Sequence, residues 1–213
     1  VSAGVAQITS AFPGVWPYRV GVAVGLVMLI TVVNLRGVRE SGRVFAVPTY
    51  YFLGITFLTV VVGLLRYASG GLGSVAHPPL MEAAVAAQPL SVLLVLRAFA
   101  SGTTALTGVE AISNGITAFK EPRSHNAGRT LLTMSVILGS LMLGITFLAH
   151  QVGAVPTDIG ETVISQVART ALGDTSFLYL AAIASTTMIL LMAANTAFAD
   201  FPRLAALQAG DGF

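Results

Sequence analysis

Cysteine is missing from all 213 residues. Disulfides, thiol nucleophiles and thiolate metal sites are therefore excluded, and nothing about redox compartment follows. Charge is scarce as well, at 9% of residues, where a soluble domain carries about one quarter to solvate its surface. An ordinary soluble domain is excluded on that ground. No Gly-rich phosphate loop, no nucleophile elbow and no HExxH pattern occurs, and His77, His125 and His150 are too scattered for a zinc site. Nothing reads as an enzyme, and no cofactor is expected. The basic pI near 9.3 does not point to nucleic acid, because the basic residues end apolar runs instead of sharing a polar face.

What the chain does hold is apolar. Hydrophobic residues make up 55% of it, and mean hydropathy is +0.84. Crossing about 30 Å of hydrocarbon as a helix takes roughly 20 residues. Five stretches qualify: Arg19–Leu35, Phe45–Leu65, Leu90–Phe119, Leu131–His150 and Phe177–Ala199. Residues 1–12 read as the tail of a preceding span, stopped at Pro13-Gly14. Lipid leaves backbone N–H and C=O groups to be satisfied within their own segment, and no alternating strand pattern appears, so the spans are predicted to be helices. The expected fold class is an all-α polytopic membrane protein, with residues 1–213 forming one transmembrane domain. The chain opens at Val1 without an initiator Met or a basic leader, so it reads as an internal fragment and not as a signal peptide.

Charge asymmetry predicts orientation. Arg36, Arg39 and Arg43 follow the first span, Lys120, Arg123 and Arg129 follow the third, and Arg203 follows the fifth; the opposite side holds only Arg19, Arg66 and Arg169. Short basic loops stay cytoplasmic. Loops 36–44 and 120–130 and the C-terminal end are therefore placed in the cytoplasm of a multi-pass cell-membrane protein. Tyr67–Gln88 reads as an external linker, and Val163–Ala171 as a short external helix.

The third span carries the chemistry. It is longer than a straight crossing needs, and its centre contains Glu110 among Ser, Thr, Asn and Gly. A charged side chain at membrane depth costs about 3 kcal/mol or more, so it is kept where it faces water, a partner or a ligand. Thr103, Thr107, Glu110 and Asn114 stand at i, i+4, i+7 and i+11, which a helix lines up on one stripe. Hydroxyls, a carboxylate and an amide carbonyl suit a hard cation or an ammonium group. Gly102, Gly108 and Gly115 allow the helix to break and bare its carbonyls, as discontinuous transporter helices do. Packing is the competing role for Ser101, Thr103, Thr104 and Ser113, and Arg97 is expected to snorkel. Thr186 and Thr187, in the fifth span, read as packing groups or as part of a second ion site.

Four segments together resemble a known family: Asn34-Leu-Arg-Gly-Val-Arg-Glu-Ser-Gly42, Ala105-Leu-Thr-Gly-Val-Glu-Ala-Ile-Ser-Asn114, Phe119-Lys-Glu-Pro-Arg123 and Ala199-Asp-Phe-Pro-Arg-Leu-Ala-Ala-Leu207. They are similar to the amino acid–polyamine–organocation (APC) superfamily and, within it, closest to the KimA-type potassium importers. The resemblance implies a LeuT-like fold of two inverted five-helix repeats. This chain would run from the end of helix 3 through helix 8, with the third span as the broken helix 6. It further implies potassium ligands at Thr107 and Glu110, the Thr and Glu of Thr-Gly-Val-Glu, with other ligands on helices outside the chain. Some proton-coupled relatives use a Lys in helix 5; Phe45–Leu65 holds none, so proton coupling would fall to Glu110. Two substrates stay open: K⁺ with H⁺ as a secondary active symporter, or an amino acid as a permease. Beside the lipid bilayer, a second copy in a homodimer is the partner to be tested. Without the earlier helices the fragment is not expected to transport alone.

Overall fold

The computed structural model describes residues 1–36, 42–75, 91–103, 112, 116, 119–156, 160–174 and 176–210. Its elements are α1 (Ser2–Ala11), a 3₁₀ turn (Pro13–Tyr18), α2 (Arg19–Leu35), α3 (Gly42–Ala68), α4 (Val92–Gly102), α5 (Arg123–Val152), α6 (Val163–Leu172) and α7 (Phe177–Gly210). The described residues contain no strand, which bears out the all-α class. Among the described residues, four segments are long and apolar enough to cross a membrane: Pro13–Leu35, Phe45–Ala68, Arg123–Val152 and Phe177–Phe198.

The helices differ from the apolar runs mainly at their ends. α5 begins at Arg123, ahead of the run that starts at Leu131, because Ser124 to Thr130 can be helical without being apolar. α7 continues through Gly210, past the polar break at Asp200. At 34 residues and about 1.5 Å per residue it spans about 51 Å, longer than the hydrocarbon layer. The third span is helical over Val92–Gly102; most of its remainder lies outside the described residues.

The chain divides into two compact units, Val1–Pro79 with Ile145–Phe213, and Leu80–Gly144. In the first, α3, α6 and α7 share a core of Ile55, Ala168, Leu172, Tyr179, Ala182 and Ile183. Leu148 and Val152, from the last turns of α5, are buried in the same unit. α2 is different, since it buries none of its side chains. Val20, Met28, Leu29 and Leu35 are all more than half exposed. So large an apolar surface is stable only against hydrocarbon or other helices.

α6 is short and amphipathic. Thr162 caps its start by accepting from Ser165 N–H at 3.3 Å, the ordinary Thr N-cap bond. Gly173 ends it with φ +101°, a left-handed conformation that glycine adopts without a Cβ penalty. Between those stops, Ser165, Ala168 and Leu172 fall on one face and are buried, following the three-to-four spacing of a helix side. In the second unit, Ser91 caps α4 by accepting from Leu94 N–H at 3.1 Å. Arg123 pairs with Glu121 at 3.1 Å in an exposed bridge of the kind that contributes about 0–1 kcal/mol.

Candidate functional site

Of the stripe predicted on the third span, Thr103 is described. It follows the last residue of α4, is exposed, and its hydroxyl donates to Ala100 O at 2.6 Å. Such a bond returns the hydroxyl to its own helix. Thr107, Gly108, Glu110 and Asn114 lie outside the described residues, as do Thr104 and Ser113. Among the described residues there is no grouping of three or more His, Asp or Glu able to hold a metal ion.

Among the described residues, the most connected polar constellation belongs to the first unit and centres on Arg169 of α6. Its Nε donates to Glu161 Oε1 at 2.8 Å, and Nη1 donates to Asp174. Nη2 donates to Tyr179 Oη at 2.8 Å and to Ser10 O at 3.1 Å. The guanidinium carbon also stands 4.5 Å from the Tyr179 ring centroid, in cation–π range. Ser10 belongs to the last turn of α1, whose carbonyls have no partner inside the helix. Tyr179 belongs to the first turn of α7. One side chain thus joins three helices and both segments flanking α6.

A second ring of bonds supports it. Ser165, fully buried, donates to Glu161 Oε1 at 2.6 Å and shares a 2.8 Å hydrogen bond with Tyr179 Oη. Thr162 N–H donates to Ser10 Oγ at 3.0 Å, and its hydroxyl donates to Gln7 Oε1 at 3.1 Å. Gln166 bridges Val155 N–H, Val155 O and Glu161 O. Buried polar groups need such partners, because each unmade bond costs about 1–3 kcal/mol. Burial by itself draws the Arg169 pKa down, but hydrogen bonds to Glu161 and Asp174 outweigh it and hold the group above its ordinary value. Arg169 is therefore a permanent cation. Beside it opens a cleft of about 360 Å³ lined by Thr9, Ser10, Pro13, Trp16, Glu161 and Arg169.

Sequence reasoning missed this centre. It used Arg169 only as an external charge, although two carboxylates flank an arginine on an amphipathic helix between Glu161 and Asp174. The contribution of Ser10 carried no local signal, being 159 positions away.

Polar groups within the apolar helices of the first unit, Asn34 and Thr186 among them, also find partners. Asn34 donates its side-chain N–H to Asn195 Oδ1 at 2.7 Å, tying α2 to α7. Thr186 donates to Ala182 O and Ile183 O within its own helix. The buried Thr187 hydroxyl has no hydrogen-bond partner among the described residues.

The comparisons with known proteins agree in class. The amino acid permease family matches residues 1–213. The potassium transporter KimA of Bacillus subtilis (strain 168) is 43% identical over 213 residues, which are 100% of this chain and 34% of that protein. The chain thus spans about a third of the length of this curated relative. With its apolar helices and a family match along its whole length, this chain belongs to the amino acid permease family of the APC superfamily.

Proposed function

We propose that the protein to which this chain belongs is a secondary active transporter that takes up potassium together with protons. The observation that carries the reading is the whole-chain likeness to a potassium transporter, combined with the Thr107-Gly-Val-Glu110 run in the third span. Thr107 and Glu110 then supply oxygen ligands, and Thr103, Gly108 and Asn114 line the pathway. Glu110 carries the proton: a nearby cation favours its ionised form and desolvation its neutral form, so the two exchange. Loops 36–44 and 120–130 and the C-terminal end face the cytoplasm, by the basic-residue bias.

The test uses the full-length protein in a cell deficient in potassium uptake. Glu110→Gln is expected to abolish uptake at unchanged membrane abundance. Uptake at the unsubstituted level removes Glu110 from the site. The second reading, amino acid uptake, rests on the family match itself. There the glycines at 102 and 108 present backbone N–H groups to a carboxylate and Glu110 takes the ammonium. A panel of amino acids competing with labelled-ion uptake separates the two readings.

A further inference from the structure

The Arg169 centre shares no residue with the transport site proposed above, and it gathers two carboxylates, a phenol and a backbone carbonyl around one guanidinium. The apolar face of α6 is already packed by Ala168 and Leu172 against Ile55 and Ile183. The charged groups sit beside that packing, partly open to the cleft. The side chains of Arg169, Glu161 and Asp174 are 26%, 24% and 72% exposed. The ion pairs add little through charge attraction alone, because solvent screens it and desolvation opposes it. What they add is direction. A guanidinium is a rigid planar fork with five N–H donors, and here the fork meets Glu161, Asp174, Ser10 and Tyr179 in divergent directions.

We propose that Arg169 is a positioning residue, a clamp that holds α6 in one register across the end of α1 and the start of α7. The apolar face keeps α6 attached; the fork decides where it sits. Opening the clamp frees α6 locally, since its bonds are partly hydrated already, while the α3–α7 core remains packed. The clamp concerns α6 alone and does not depend on which substrate is carried.

Hydrogen exchange of the full-length protein in lipid nanodiscs tests this without any substrate. Arg169→Lys and Arg169→Gln are expected to speed amide exchange in residues 163–172 by about tenfold or more, with exchange around Ile183 in α7 unchanged, as for a local opening. Tyr179→Phe, which removes one acceptor, is expected to do the same more weakly. Lysine keeps the charge but not the fork, so it must resemble glutamine. Unchanged exchange in α6, an equal rise in α3 and α7, or a lysine variant indistinguishable from the parent overturns the proposal. If neither arginine variant folds and Tyr179→Phe leaves α6 exchange unaltered, the residue is a structural support and the clamp is likewise refuted. Because the readout is exchange and not uptake, failure here and failure of the potassium reading remain distinguishable.

Discussion

Leu148 occupies the space that a side chain at Gly63 would need: a Cβ there would lie 2.5 Å from Leu148 Cδ1 and 2.9 Å from Cδ2. Leu148 is fully buried, so it has little room to retreat. Overpacking of this kind destabilises by about 1–3 kcal/mol. Gly63→Ala is expected to lower the Tm of the full-length protein in detergent, and Leu148→Ala in the same chain to recover part of the loss. Additive losses in the double variant would show that the two positions do not share this space.

Asn34 and Asn195 form an interhelical amide bond, a kind worth about 0.6–2 kcal/mol in membrane bundles. Asn34→Leu is expected to cost an amount in that range. A double-mutant cycle with Asn195→Leu measures it, because any other interaction of Asn195 cancels in the coupling energy. A coupling near zero would mean the bond does not hold α2 to α7.

Ser165 holds Glu161 and Tyr179 from a fully buried position. Ser165→Ala leaves both partners short of a bond and is expected to destabilise by about 1–3 kcal/mol. Ser140, exposed and donating to Ile137 O of its own helix, serves as the control, with an expected change within about 0.5 kcal/mol. Thermal unfolding of both alanine variants makes the comparison.

The pH behaviour of the Arg169 centre follows from the direction of its shift. A raised pKa contributes stability that is fully present below the unfolded value and is lost only as pH climbs through the folded one. For Arg169 both lie above the ordinary arginine value or at it. The Tm difference between the parent and Arg169→Gln is therefore expected to stay constant from about pH 7 to about pH 9. A difference that disappears across this interval would contradict the assignment of the centre to a permanent cation.

Thr103 and Thr107 share a predicted stripe but not a predicted burden. The Thr103 hydroxyl is engaged with Ala100 O, whereas the resemblance makes Thr107 a ligand. Thr103→Val is expected to leave uptake within about twofold of the parent, and Thr107→Val to reduce it by about tenfold or more, a loss of about 1.4 kcal/mol per tenfold. Equal losses would make Thr103 an ion ligand on a par with Thr107, not only a lining residue.

Much of the helical content was legible in the residues. The apolar run at Arg19–Leu35 coincides with α2, and the periodic stretch at Val163–Ala171 lies within α6. Helix ends were harder to read, as the extra turns of α5 and α7 show. Hydropathy marks where a helix meets lipid, while the backbone continues wherever polar residues still favour it. The oxygen-rich stripe was legible as chemistry from the spacing of Thr103, Thr107, Glu110 and Asn114. Three of those four lie outside the described residues, so their arrangement remains part of the proposal.

By itself, the sequence determined that this protein is a helical membrane protein with its carboxylate-bearing polar segment in an otherwise apolar chain. That much is local, because in hydrocarbon each helix must satisfy its own backbone and needs only about 20 apolar residues to do so. The tertiary structure alone decided that Arg169 would meet Ser10 and Tyr179, that Asn34 would find Asn195, and that Leu148 would fill the space over Gly63. Those pairings depend on how helices dock, on which faces turn together and at what height. No spacing within a single helix encodes that.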